Sequence, residues 1–516
     1  MLGFAAPRTQ LSLDVRTVVD GLISTADTDE EQSHLVTHMR RGLEQLESFM
    51  RQAHTDPTTG AVFSDFEAMV KHSSKVWEDH VDRAVQDKRS MKVNERRLQA
   101  SLRLPLSGVD LKVGRPGRPD DNVYQRDAYA RQYMPRGNFI AEWKPESSTK
   151  PLYFPLLRAY RKFTGQEDDA EENGAVNSEV LSKFFTKPVA QSEYVISTTK
   201  ENGEAAHLAV LQRSDGEYLF VVGSKNTHLV VQSYDDIERA CEAGRVGNNG
   251  DPYLAAAPIA RALLKKIESL SPENKKILCE FLAQTRVTAS FENLSPGYQH
   301  VQLLDYLTED TPVFYGLSFP SFDAIVPGAD ICVNPVLAYA LMAKLGFQTV
   351  TYKVLPYTPD VMEATLHSIR ASHQHEGAVN LFLDSEACVI GMEKYKTVWY
   401  VCLRAIRERA KSFLSHALPK KGEVDSHALS KCHVALQKRF LAIQVYLSLS
   451  DTVRDAYLAL GEQFVTYLQH VHVEPCLKKD EGTQRRLRER VGALFPVVWR
   501  EFLEYTKLSD QIHDEN

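Results

Sequence analysis

Cysteine is sparse and unordered in this chain. Seven cysteines are scattered over 516 residues with no Cys-x-x-Cys pair. That excludes a disulfide framework or a zinc ribbon and implies free thiols in a reducing compartment. His470-Val-His472 near Cys476 lacks a fourth ligand at metal spacing, so no metal site is assigned there. Long apolar runs are missing too, and none reaches the length of a membrane-spanning helix. Asp14 and Asp20 interrupt the start, so no secretory signal is expected. These absences point to an intracellular protein, cytoplasmic or nuclear, with organelle import left open. Positive charge is not in excess either. A net charge of −7 argues against indiscriminate coating of nucleic acid, although local patches decide that contact. The glycine-rich stretch 244–251 lacks the Gly-Lys-Ser/Thr ending of a phosphate loop and reads as a plain loop. No internal repeat is visible.

What the chain does hold is an ordered series of lysines and carboxylates. Lys200-Glu201-Asn202-Gly203 is followed by Ser224-Lys225-Asn226, Phe291-Glu292, Glu376-Gly377-Ala378-Val379 and Lys394-Tyr395-Lys396. Two lysines, two separated carboxylates and a paired lysine form a kit for holding a nucleoside triphosphate and attacking its α-phosphate. A lysine flanked by other cations loses its proton more readily and can act as nucleophile. The remaining lysines would meet developing phosphate charge, and a carboxylate would hold the accompanying magnesium. Singly, each piece is commonplace. A Lys-x-Asn-Gly tetrapeptide usually marks a surface turn, Glu292 alone would more often cap a turn, and Phe184 and Phe185 are more often core residues than ligand contacts. Order and context carry the reading.

The pattern along the chain is α+β. Leu35, Met39, Leu43, Leu46 and Met50 make one helical stripe. Phe66, Met69, Val70, Trp77, Val81 and Val85 make a second, so a helical hairpin is expected that buries these faces together or against the next domain. A basic Pro/Gly-rich stretch, 104–121, reads as a linker. Short β-like runs begin near Tyr124. The stretches 207–213 and 217–225, joined by Ser214-Asp215-Gly216, read as a β-hairpin. Lys200 and Lys225 then fall at strand ends and could reach one groove. The acidic run 165–179 reads as a flexible insertion. Basic patches run from Arg83 to Arg118 and from Lys394 through Arg404, Arg407, Arg409, Lys411 and Lys420 to Lys421. Beyond these the chain is helical, with Ser450 and Thr483 as expected caps and a kink at Pro496. The expected units are 1–120 (helices and basic linker), 121–412 (a mainly antiparallel β domain) and 413–516 (helices).

In their order these motifs resemble the covalent nucleotidyltransferases, and most closely the ATP-dependent RNA ligases of the phage T4 RNA ligase 1 and fungal tRNA ligase type. TTKENGE, VVGSKNTH, TASFENLSPGYQHV, HEGAV and EKYKTVWYVCLRAIRE are similar to that family's successive motifs. Upstream, MPRGNFI and LSKFFTKPV resemble its two earlier elements. The likeness spans roughly residues 125 to 410. It implies an ATP-grasp-like ligase domain flanked by helical segments. It also implies a lysyl-AMP intermediate at Lys200, with Lys394 and Lys396 on the α-phosphate. Arg136, Lys183 and Lys225 would contact phosphates, with Phe185 packing near the nucleotide. Glu201, Asn202 and Gly203 would lie against the nucleotide, Gly203 permitting close approach of the adenosine. Glu292 would bind the ribose and Glu376 the metal. The implied cofactors are ATP and Mg2+, with Mn2+ as the alternative ion. The implied partner is RNA with a 5′-phosphate and a 3′-hydroxyl, as in tRNA splicing or RNA repair. A monomer and no membrane partner are expected. Only His72-Ser-Ser74 fits a His-x-Ser/Thr element, so end-healing chemistry would fall to separate enzymes. Two departures stand out. Glu204 follows the glycine, which favours the alternative of a catalytically silent RNA- or nucleotide-binding protein. The aromatic motif before Glu376 is indistinct, with Phe314-Tyr315-Gly316 the best candidate. A transferase acting on another substrate is a third reading, and a helical segment where capping enzymes carry a β-barrel weighs against its capping version.

Overall fold

The computed structural model describes residues 3–29, 32–98, 102, 104–114, 120–163, 182–245, 251–320, 325–326, 330–418 and 425–512. The acidic run 165–179 lies outside them. So do residues 246–250, Arg115, Arg118, Lys420 and Lys421.

The molecule is a mixed α/β structure with helices at both ends. Strands β1 (Met91–Arg97), β2 (Leu106–Val113), β3 (Asn138–Trp143) and β4 (Leu152–Arg158) form an antiparallel meander. The basic stretch expected to be a linker therefore contains β2. Its alternating Val109, Leu111 and Val113 are buried, so hydrophobic burial overrides the flexible Pro/Gly flank. Strands β5 (Tyr194–Lys200), β6 (Glu204–Gln212), β7 (Tyr218–Ser224), β8 (His228–Val231), β9 (Thr288–Leu294), β10 (Thr311–Ser318) and β11 (Gln348–Thr349) come next. The last are β12 (Tyr352–Pro356), β13 (Gly377–Leu383) and β14 (Val389–Lys396). A six-stranded sheet has the order β11-β10-β9-β6-β7-β8, and a four-stranded sheet the order β12-β5-β13-β14. Every pairing is antiparallel except β10 with β11. The expected hairpin is β6 and β7, closed at Gly216, whose φ of 92° suits a residue without a side chain.

The two-residue period of the strands divides the core. Ala206, Leu208 and Val210 of β6 pack with the helices on one face, while Ala209 and Leu211 pack on the other with β3 and β4. The two N-terminal helical stripes do not bury each other. The helix Val36–Ala53 shares the large central core with the helix Pro335–Lys344. The helix Phe66–Gln86 places Phe66 and Val70 with β3 and β4, and Trp77 and Val81 with β2. Val85 stays exposed.

After β14 the chain is helical, and the helix Val398–Ala417 shares a core with the helices that follow it. Residue 412 lies inside this helix. Ser450 accepts from Val453 N at the start of the helix Asp451–Tyr467. Thr483 is not a cap, because Asp480 takes that place and accepts from Thr483 N. The expected kink is a break between Glu481–Ala493 and Phe495–Thr506, with Pro496 in the first turn where its missing N–H is tolerated. Arg407 is buried and donates to Gly492 O, so it ties two helices together instead of joining a solvated basic patch. No helix of the described residues is long and apolar enough to cross a membrane.

Candidate functional site

Lys200 ends β5, and the register of the four-stranded sheet places its neighbours. Lys200 stands opposite Gly377 of β13, which stands opposite Lys396 of β14. Two residues back, Thr198, Val379 and Lys394 form the same kind of row. Alternation therefore puts Lys200, Lys394 and Lys396 on one face. Glu376 precedes β13 and reaches back to the nucleophile candidate, with Lys200 Nζ 2.9 Å from Glu376 Oε1. Asn202 Nδ2 donates to Glu376 Oε2 at 2.8 Å and to the Tyr400 hydroxyl at 3.2 Å. Asn202 Oδ1 accepts from Val301 N and Gln302 N. Burial alone would raise the Glu376 carboxyl. The charges of Lys200 and Lys396, with hydrogen bonds from Lys200 and Asn202, hold it below the usual carboxylate range.

The chain reverses between β5 and β6, and Gly203 N donates to Glu292 Oε1 at 3.1 Å. A Cβ on Gly203 would lie 2.3 Å from Asn293 O. The glycine is thus demanded by the crossing of β9, whatever ligand lies beside it. Glu292 is pushed up to about 7 by burial, against the pull of Lys200. Glu201 is also raised by burial.

Between the two sheets lies a slot of about 100 Å³. Its polar end is Lys200, Glu201 and Glu292, and its walls include Tyr160, Tyr315, Tyr339, Leu381 and Met392. A cavity of about 150 Å³ takes benzene, so this one is smaller than a single aromatic ring needs. Tyr160 and Tyr315 stack with ring centroids 5.9 Å apart. Of the indistinct aromatic motif, Tyr315 faces the slot while Phe314 packs in the core. Glu204 does not approach this slot from β6. Ala205 is the residue paired with Glu292, so Glu204 points to the opposite face, where its charged neighbour is Asp310.

A second cluster lies beyond Lys394. Arg136 Nη2 is 2.8 Å from Asp120 Oδ1, Lys225 Nζ is 3.3 Å from Asp120 Oδ2, and Lys162 Nζ is 2.6 Å from Asp121 Oδ1. Lys162 is buried and lowered to about 7 by burial and by the charges of Lys394 and Arg136. Lys225 is lowered by burial and Arg136. Burial would raise Asp121, but Lys162, Arg136 and Lys394 bring it down to about 2. Four cations thus surround two carboxylates. Asp120, Asp121 and Lys162 were not singled out from the sequence, and neither was Tyr400. For Lys162 the nearest signal was the basic stretch Arg158 to Lys162, which starts at the last residue of β4.

Two expected residues lie outside the slot. Phe185 covers Gly391, where a Cβ would meet its ring at 2.2 Å, and packs on Phe382. Phe382 and Gly391 face away from the slot, so Phe185 belongs to the core on the far side of the sheet. Lys183 is exposed on the rim of a separate cavity of about 660 Å³, which Arg41, Arg131, Arg161 and Lys162 also line.

Hydrated magnesium needs one or two carboxylates beside phosphate oxygens. The described residues hold no group of three or more His, Cys, Asp or Glu side chains placed to take a metal. Glu376 is charged and faces the same side as the lysines. It fits such an ion as a single carboxylate whose other oxygens come from a ligand.

A family model described as a domain of unknown function (DUF7920) matches residues 89–407. No curated protein matches the chain. Among solved structures, an archaeal ATP-dependent RNA ligase (form 2) is similar over 76% of this chain and 96% of its own, at 13% identity and a TM-score of 0.36. A lysine-to-alanine variant of the Naegleria gruberi RNA ligase, with ATP and Mn, is similar over 60% of this chain and 97% of its own, at 10% identity and a TM-score of 0.26. Both likenesses are remote.

Proposed function

We propose, for a chain that belongs to the family described as a domain of unknown function (DUF7920), that it is an ATP-dependent RNA ligase working through a lysyl-AMP at Lys200. The observation that carries this reading is the placement of Lys200. It stands at the polar end of a slot walled by tyrosines and aliphatic side chains, paired with Glu376, on the sheet face that also bears Lys394 and Lys396.

In this reading the adenine enters the slot between Tyr160, Tyr315 and Tyr339, in an ATP-grasp-like ligase domain, and the slot widens to take its two fused rings. Glu292 accepts from the ribose hydroxyls. The triphosphate runs along Lys396 and Lys394 towards Arg136, Lys162 and Lys225. Glu376 would hold the divalent ion that travels with ATP, which neutralises phosphate charge. The Lys200–Glu376 pair must separate before the amine attacks. The amine first gives one proton to water, the neutral nitrogen then bonds to the α-phosphorus as the bond to pyrophosphate breaks, and the nitrogen loses a second proton to water. An RNA 5′-phosphate oxygen next takes the AMP from Lys200. A 3′-hydroxyl then attacks that 5′-phosphate and AMP leaves.

A catalytically silent binding protein was the reading that Glu204 favoured. With Glu204 on the other face of β6, that support lapses. The test is incubation of the pure chain with α-labelled ATP and magnesium. Label bound covalently to the wild type and absent from Lys200→Ala is expected. An unlabelled wild type rejects the reading.

A further inference from the structure

His207 and His228 sit on strands that are two apart, β6 and β8, with Gly223 of β7 between them in register with both. Adjacent strands are about 4.8 Å apart, so two side chains across an intervening strand do not ordinarily meet. Here they do, with His207 Nδ1 3.3 Å from His228 Nε2 and ring centroids 5.6 Å apart, close to parallel. Gly223 makes this possible, because a Cβ there would lie 2.9 Å from His228 Cδ2. The series continues through Asp110 to Arg96. His228 Nδ1 is 2.7 Å from Asp110 Oδ1, and Arg96 Nε donates to Asp110 Oδ2 at 2.6 Å. All but Arg96 are buried to within 1% exposure, and Phe139 stacks on His228 over Gly108.

The His207 end of the series is the informative one. His207 lies next to the Ala206–Ser224 pair of the β6–β7 ladder, and Ser224 precedes Lys225. Its Cε1 would lie 2.5 Å from a Cβ on Gly137, which follows Arg136. It stands opposite Ser290, two residues from Glu292 on the same face of β9. One ring therefore wedges the backbone beside Arg136 and the backbone beside Lys225. Those two cations converge on Asp120. Burial and His228 push His207 down to about 3, so the ring is neutral, with one N–H and one lone pair. Such a ring satisfies two different partners in only one orientation.

We propose that the buried series Arg96, Asp110, His228 and His207, leaning across Gly223, is a positioning device that sets Arg136 and Lys225 for phosphate. It rests on the reading of those two cations as phosphate ligands. A buried polar series with a partner at each step narrows the available geometry, and pre-set cations bind an anion without first being ordered.

The probe is inorganic pyrophosphate, titrated calorimetrically into the full-length chain, with thermal midpoints recorded for each variant. Arg136→Ala should weaken binding most. His207→Leu, close in volume but without hydrogen bonds, should weaken it about fivefold to tenfold, the loss of one or two hydrogen bonds' worth of ordering. Asp110→Asn should weaken it about threefold, and His207→Gln should recover part of what leucine loses. In labelling with α-labelled ATP, the half-saturating concentration of His207→Leu should rise while the maximal rate holds.

A folded His207→Leu that binds pyrophosphate as the wild type does overturns the proposal, as does a wild type or Arg136→Ala whose affinity shows that Arg136 is no ligand. If His207→Leu fails to fold, Asp110→Asn decides, and unchanged affinity there overturns it. If Lys200 takes no label while the pyrophosphate series behaves as stated, the ligase reading falls and the positioning inference stands.

Discussion

Removing the Lys200 charge should abolish labelling and also lower stability, and the two effects can be separated. Lys200 is 22% exposed and Glu376 7% at the side chain, with 2.9 Å between the charged atoms. Breaking a fully buried pair by removing one partner costs about 3–5 kcal/mol. Here Lys396 and the Asn202 amide remain on Glu376, and Lys200 is partly solvated. About 2 kcal/mol is therefore expected for Lys200→Met. Lys200→Arg keeps the charge but cannot become a neutral nucleophile, so it should lose labelling and keep most of the stability. Because the Glu376 carboxyl is held below its ordinary value, its contribution is present above the unfolded value. It is lost as pH falls through the folded one. The penalty of Lys200→Met should shrink in acid accordingly. Denaturant titrations of Lys200→Met, Glu376→Gln and the double variant give the coupling. Single effects that add to within about 0.5 kcal/mol would refute the ion-pair account, and undiminished labelling of either Lys200 variant would refute its role as nucleophile.

Glu292, raised from 4.5 to about 7 by burial, should make stability fall as pH climbs through that interval. The fall should reach about 3 kcal/mol, with Glu292→Gln flattening the profile. A slope unchanged in the variant would contradict this. Asp120 occupies the cations that phosphate would use, so Asp120→Asn should bind pyrophosphate about threefold to tenfold more tightly and lose the gain in high salt. Weaker binding would show that Asp120 orders the cations more than it competes for them. A fragment ending near residue 412, the expected end of the β domain, should not keep the labelling step. Cutting inside Val398–Ala417 strips partners from Leu403 and Ile406, and Ala493 O accepts from Gln299 N in the loop that holds Asn202. That fragment should aggregate or label poorly, whereas a soluble fragment with full labelling would show the loop holds by itself.

The sequence by itself determined the local features of this protein. The β6–β7 hairpin was legible because alternation and Ser214-Asp215-Gly216 are contiguous. Ser450 was legible as a cap because capping acts within one turn. The placement of Lys200 at the end of a strand needed only its own neighbours. Tertiary structure decided which residues share a face and a neighbour. Glu204 looked like an anion aimed at the phosphates until the pairing of Ala205 with Glu292 turned it away. Phe185 looked like a nucleotide contact until the sheet came between it and Lys200. Asp120, Asp121 and Lys162 carry no local pattern, and they meet Arg136, Lys225 and Lys394 only because separate strands end at one place. Gly223 is an ordinary strand glycine in the sequence, and only the register of β6, β7 and β8 shows that two histidines meet across it. Side-chain periodicity and capping are properties of a few adjacent residues, whereas register and burial are properties of chain segments that fold together from far apart.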